Sequence, residues 1–126
     1  MSEKKGLLSG KRGIIMGAAN NRSIAWGIAK RAAEEGAELA FTYQGEQLEK
    51  RVRPLAKSLG SDIVLPCDVS DLASIDAVFA ELEKIWGKLD FLVHAIAYAD
   101  KAELTGRYVD TSLDNFTKSM HISCYS

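Results

Sequence analysis

Four short apolar runs punctuate the chain, at Gly13–Met16, Glu38–Tyr43, Asp62–Cys67 and Asp90–Ala95. Their cores, Ile-Val-Leu and Phe-Leu-Val among them, are continuously apolar rather than alternating. Continuous runs fit strands covered on both faces, as in a parallel sheet. Between the runs the period changes. Ile24, Ile28 and Ala32 recur every four residues across Ser23–Glu35. Leu48, Val52, Leu55 and Leu59 do so across Gln47–Leu59, and Ile75, Val78, Phe79, Leu82 and Ile85 form a stripe across Asp71–Trp86. These spacings put each set on one face of a helix. Pro54 lies inside the second stripe; it has no N–H and crowds the preceding turn, which predicts a kink or restart near Arg53. Ser70 is the expected N-cap of the third helix, with Asp71 at its positive end. Gly36, Gly60 and Gly87 follow the three helices, where a left-handed residue commonly ends one.

The predicted order is βαβαβαβ, a loop, and a helix from about Ser112 whose pattern continues through Phe116, Met120, Ile122 and Tyr125. Alternating units of this kind imply an α/β fold: a doubly wound parallel sheet with right-handed crossovers and helices on both faces. Ligands of such sheets bind outside the carboxyl ends of the strands. The positions that matter are therefore those just after Met16, Tyr43, Cys67 and His94.

After the first strand comes Gly17-Ala-Ala-Asn-Asn-Arg-Ser23-Ile24-Ala25-Trp-Gly27. Glycine admits close backbone approach, and a helix start presents free N–H groups to phosphate. The spacing is neither G-x-G-x-x-G nor a P-loop, so a simple turn with Ser23 as helix cap stands beside phosphate binding. After the second strand, Gln44 occupies the place where an acid would bond the ribose of NAD, or an Arg the 2′-phosphate of NADP. A neutral amide serves ribose or adenine, or is a polar turn residue; no cation adjoins it in sequence, which favours NAD. Asp68 either accepts from an adenine amino group or caps the turn into the next helix. A phospho-accepting receiver domain is excluded, because the first strand lacks the acids that would hold Mg²⁺. After the fourth strand comes His94-Ala95-Ile96-Ala97-Tyr98, whose small residues at a strand end allow close approach of a flat ligand. His94, in an apolar run, reads as a packed core residue, and His121 is assigned no role.

Composition narrows the classes. Of 126 residues, 47% are hydrophobic and 26% charged, and the formal charge is −1. That is ordinary for a globular domain and supplies no broad basic field for nucleic acid. Two cysteines without metal-ligand spacing predict no metal centre and a reducing, cytoplasmic setting. The Met-Ser-Glu-Lys-Lys-Gly start lacks a signal-like apolar stretch, and no run approaches a membrane span, so no membrane partner is expected.

Taken together, Gly17, Ser23, Ala25 and Gly27 in a Gly-x5-Ser-x-Ala-x-Gly pattern, Phe41-Thr-Tyr-Gln44, Cys67-Asp68-Val69 and His94-Ala-Ile96-Ala resemble the enoyl-acyl-carrier-protein reductases of bacterial type II fatty-acid synthesis. These are divergent members of the short-chain dehydrogenase/reductase superfamily. The resemblance runs from Leu8-Ser-Gly to Tyr125-Ser126. It implies a Rossmann-like fold and a reaction in which NADH delivers hydride to the β-carbon of a trans-2-enoyl thioester on acyl carrier protein. It further implies that Gly17, Ser23 and Ile24 hold the pyrophosphate, and that Gln44 faces the adenosine end. Asp68 and Val69 would contact adenine. Ala95, Ile96 and Ala97 would line the ribose and nicotinamide side, with Ile122 close by, and Ala99 and Leu104 would border the acyl pocket. A cytoplasmic homotetramer is implied as well. This chain departs from the family at Ala95-Ile96-Ala97, where Ser-Ile-Gly is usual, at Tyr98, where Phe is common, and at Pro54.

The family's Tyr-x6-Lys pair has a formal match in Tyr43 and Lys50, but Tyr43 ends the second strand, on the adenosine side. No catalytic residue is therefore assigned within these 126 residues. With four strands where a dinucleotide fold usually has six or more, the chain is expected to be the N-terminal part, 1–126, of a single dinucleotide-binding domain in a longer protein. Two alternatives are another short-chain reductase and, if the chain ends at Ser126, a non-catalytic nucleotide-binding module.

Overall fold

Ile14 and Ile15 are completely buried at the centre of β1 (Arg12–Met16), the strand on which the rest is assembled. The structure, a computed structural model, describes residues 6–126. These fall into two compact units, one up to Ala95 and one from Ile96 to Ser126.

In the first unit β1 pairs in parallel with β2 (Glu38–Tyr43) and with β4 (Phe91–His94), and β2 pairs in parallel with β3 (Val64–Pro66). The order is β3-β2-β1-β4. Helices α1 (Ile24–Glu34), α2 (Glu46–Ser58) and α3 (Leu72–Trp86) form the crossovers. Right-handed crossovers in this order put α1 and α2 on one face and α3 on the other. The core agrees: Ile15, Leu39, Phe41 and Val64 pack with Ala25, Ala29, Val52 and Ala56 in one cluster. Strand alternation turns Ile14, Met16 and Ala40 to the opposite face.

The helices differ from expectation in three instructive ways. The buried stripe of α1 is Ala25, Ala29 and Ala32, while Ile24 is 80% and Ile28 41% exposed. Small residues let α1 lie close to the sheet, and the isoleucines instead flank an open groove with Leu8, Phe91 and Val93. Helix α2 passes through Pro54 without a restart. Pro54 and Lys50 are both exposed, so the carbonyl that loses its partner faces water while Val52 and Ala56 remain buried. The N-cap of α3 is Asp71, whose carboxylate accepts from the Ala73 N–H at 3.0 Å, one residue later than Ser70. Gly36, Gly60 and Gly87 all take positive φ directly after their helices, as expected.

β3 is shorter than its apolar run, although Ile63 and Cys67 continue the ladder through bonds to Phe41 and Tyr43. Arg12 staples the amino edge of the sheet. Its guanidinium donates to the Trp86 carbonyl at 2.8 Å and to Glu38 at 3.2 Å, while its N–H donates to Asp90. That last bond, aided by Lys88 and Lys11, holds the Asp90 carboxyl below its ordinary range.

The second unit contains two single 3₁₀ turns, Lys101–Glu103 and Tyr108–Asp110, and α4 (Leu113–Met120). Ser112 caps α4 by accepting from the Asn115 N–H at 3.1 Å. Beyond Met120 the expected helix widens into a π turn, His121–Tyr125, in which the His121 ring meets Tyr125 edge-on.

Candidate functional site

The direction of the chain order reverses at β1: the next strands in sequence lie on one side of it and β4 on the other. In doubly wound sheets the ligand crevice opens there, beyond the carboxyl ends of the strands. Gly17 follows β1 at this point with φ 107°, and Ala95, just past β4, bonds its N–H to the Met16 carbonyl at 2.9 Å. A Cβ on Gly17 would collide with the Ala95 carbonyl. Only glycine fits between the two strand ends, and it leaves backbone rather than side chain at the mouth of the crevice.

The loop that follows is organised by its own polar groups. Asn20 Oδ1 accepts from the Arg22 N–H at 2.7 Å, and the Asn20 carbonyl accepts from both the N–H and the hydroxyl of Ser23. Ser23 Oγ in turn accepts from the Trp26 N–H at 3.2 Å. Ser23 is thus the helix cap that one sequence reading anticipated. Both of its donors point at Asn20, so an incoming anion would meet the first-turn N–H groups of Ile24 and Ala25, which have no intrahelical acceptor. This set of donors, with a glycine that no Cβ can replace, fits a pyrophosphate. Arg22, exposed beside the helix start, is a cation that the sequence reading passed over; its place directly before the cap was the available signal.

The other strand ends are mixed. Gln44 is exposed just past β2. Asp68 Oδ1 accepts from the N–H and hydroxyl of Ser70 at 3.0 and 2.6 Å, the geometry of a turn cap. Val69 is 5% exposed, which leaves its backbone as what it offers a ligand. Cys67 is buried, and burial foremost pushes its thiol pKa up. His94 is half-buried at the end of β4, opposite Met16.

Tyr43 and Lys50 make no catalytic pair. Burial, then a hydrogen bond to Glu49, raises the Tyr43 phenol pKa. Glu49 also binds Arg53, whose Nε and Nη2 approach Oε2 at 2.8 and 2.6 Å. That bond, first among the causes, holds the Glu49 carboxyl low and the Arg53 pKa high. The sequence reading missed this cluster; the four-residue Glu–Arg spacing on a helix was the signal.

Ile96, Ala97, Ala99, Leu104 and Ile122 belong to the second unit. Ala99 and Leu104, the two expected acyl contacts, come together in a cavity of about 770 Å³ with Leu113, Phe116 and Met120. Ile122 lies half-buried in the π turn, outside that lining. Tyr98 is tied to the same unit: its hydroxyl donates to Asp100 at 3.0 Å, and Lys118 both donates to Asp100 and sits 4.9 Å above its ring. Among the described residues no cluster of potential metal ligands occurs, and no helix is long and apolar enough to cross a membrane.

Comparison with known proteins gives concordant matches. The family model for enoyl-(acyl carrier protein) reductase matches residues 17–126. Enoyl-acyl-carrier-protein reductase (NADH) 1 of Rhizobium meliloti is 65% identical over 126 residues, covering 100% of this chain and 46% of that protein. The crystal structure of the Anaplasma phagocytophilum reductase in complex with NAD superposes with a TM-score of 0.92 at 57% identity, over 99% of this chain and 48% of that one. The Bacillus cereus reductase, solved with NADP⁺ and an indole naphthyridinone, gives a TM-score of 0.91 at 44% identity, over 95% of this chain and 48% of that one. The chain spans about half the length of the curated relatives it matches.

Proposed function

The chain belongs to the enoyl-(acyl carrier protein) reductase family, and from that premise we propose that it forms the NADH-binding part of such an enzyme. Bound there, the reduced nicotinamide supplies hydride to the β-carbon of a trans-2-enoyl thioester on acyl carrier protein. The observation that carries the reading is the Gly17 position, wedged against the Ala95 carbonyl where the chain order reverses, at the start of the loop into a capped helix.

In this reading Gly17 lets the pyrophosphate reach backbone, and the Ile24 N–H and its neighbours receive the charge while Ser23 keeps the helix start in register. Gln44 hydrogen-bonds the adenosine ribose. Asp68 offers adenine its carboxylate and Val69 its backbone. Ala95, Ile96 and Ala97 would line the ribose and nicotinamide side, to which Ile122 would contribute, and Ala99 and Leu104 would border the acyl chain. The oxygen of the thioester gains charge as hydride arrives and needs a donor such as a tyrosine hydroxyl. Tyr43, with its pKa raised at the adenosine side, does not serve. We assign residues 1–126 to one dinucleotide-binding domain, in a cytoplasmic enzyme that assembles as a homotetramer. The charge balance is compatible with that setting.

The test couples binding to turnover. Titrated with NADH, the full chain should bind, and Gly17→Val should weaken binding by at least about tenfold, because backbone must move to admit a Cβ at positive φ. In an enzyme that joins this part to a donor for the thioester oxygen, NADH oxidation should follow addition of a crotonyl thioester and not of small ketones. Oxidation with ketones alone would identify another short-chain reductase, and NADH binding without turnover on any substrate would identify a nucleotide-binding module.

A further inference from the structure

We infer that Glu49 sets the cofactor preference of this protein by occupying Arg53, the cation of α2 that would otherwise receive a 2′-phosphate. The inference rests on the NADH reading above and concerns its adenosine end. Relatives have been solved with NAD and with NADP⁺ on the same fold, so the backbone alone does not decide between them. The charge just after β2 does so in dinucleotide folds. Here that position is Gln44, which is neutral and tolerates either cofactor.

The next charges along the chain lie on α2, which begins at Glu46, directly beyond the end of β2. Side chains of a helix lean toward its N-terminus. Arg53 therefore reaches back over the first turn, toward the carboxyl end of β2, and is met by Glu49 one turn earlier. Two of its nitrogens lie on the same carboxylate oxygen, at 2.8 and 2.6 Å. Tyr43, the residue next to Gln44, feels both partners: beyond the effect of burial, Glu49 pushes its phenol pKa up and Arg53 draws it down, which sets the pair beside the strand end. The guanidinium is committed and its charge neutralised. Any phosphate approaching it would also meet the Glu49 carboxylate, and Glu46 adds a further negative charge in the first turn.

Removing the carboxylate of Glu49 should therefore do two things at once: free Arg53 and remove a repulsion. Lys50 and Arg51 are exposed on the same helix, so the released cation must be identified by a second substitution.

The test is calorimetric titration of the full chain with NADH, NADPH, 5′-AMP and 2′,5′-ADP. In Glu49→Ala the preference for NADH over NADPH should narrow by about fivefold, as expected for one exposed charge pair, and the preference for 5′-AMP over 2′,5′-ADP should narrow in parallel. Glu49→Gln, which keeps the side-chain volume, should shift the ratios the same way. The shift should vanish in Glu49→Ala/Arg53→Ala. The inference is overturned if both single variants keep the wild-type ratios within about twofold, or if the shift survives loss of Arg53. Wild-type protein that binds neither NADH nor 5′-AMP would overturn the NADH reading itself, a result distinct from unchanged ratios in a protein that binds both.

Discussion

Inside the two units the stabilising chemistry is of opposite kinds. Up to Ala95 the core is apolar: Ile14, Ile15, Phe41 and Val52 are the largest side chains fully removed from water. From Ile96 onward the one residue in the buried class is Asn115, at 5% exposure, while Leu104, Tyr108, Val109, Leu113, Phe116 and Tyr125 are all more than half exposed. Order there is organised by polar bonds. Asn115 Oδ1 accepts from the Asp100 N–H at 2.9 Å and from Ser119, and Glu103 receives both the N–H and the hydroxyl of Ser112. Ser123 meets the Tyr98 backbone. An apolar core resists local opening because all of its burial must be undone together, whereas a polar clasp opens bond by bond.

The sharpest way to break the comparison is to remove its apolar half. Phe41→Ala leaves a cavity in the main cluster and should destabilise the protein by about 3–5 kcal/mol in urea unfolding. A loss under about 1 kcal/mol would mean that the sheet does not depend on this core. Asn115→Ala should have a smaller and more local effect of about 1–3 kcal/mol, from the acceptor taken away from the Asp100 N–H. Amide exchange should quicken around Asp100 and α4 and stay slow at Ile14 and Phe41. Equal acceleration in both places would dissolve the distinction.

The mildest perturbation is acid. The Lys118 and Tyr98 hydrogen bonds hold the Asp100 carboxyl below its ordinary value of 3.8. A carboxyl with a lowered folded pKa contributes stability in full above its unfolded value, and loses it as pH falls through the folded one. Amide protection around Asp100, corrected for the intrinsic pH dependence of exchange, should therefore be steady above about pH 5 and fall below about pH 4. Asp100→Asn should abolish that step. Lys118 gives the mirror image: its pKa is raised above 10.5, chiefly by Asp100, so its share is present below that value and fades as pH rises further.

Much of this architecture was legible in the chain. The four apolar runs, the three amphipathic stripes and the glycines after the helices predicted the strands and crossovers, because backbone period and turn chemistry are local properties. Ser23 and Ser112 announced their helices for the same reason. The errors cluster where a neighbour far along the sequence decides. Ile24 and Ile28 look like a core stripe by period, yet α1 turns its alanines onto the sheet and leaves the isoleucines exposed. Pro54 looks like a break, yet it faces water in a helix already secured by Val52 and Ala56. Gln44 looks like the sole determinant of the cofactor, while Glu49 and Arg53 enter only once α2 is folded back beside the end of β2.

By itself, then, the sequence determined a parallel α/β chain with a glycine-led helix start after its first strand, since those features follow from spacing and residue type. Tertiary structure alone decided that β1 would have β2 on one side and β4 on the other, which is what brings Ala95 against Gly17. It also decided that the Glu49–Arg53 pair, local to α2, would interact with Tyr43 at the end of β2. Strand order and the placing of a helix beside a strand end depend on which distant segments meet, and that follows from burying the whole sheet at once rather than from any single stretch of residues.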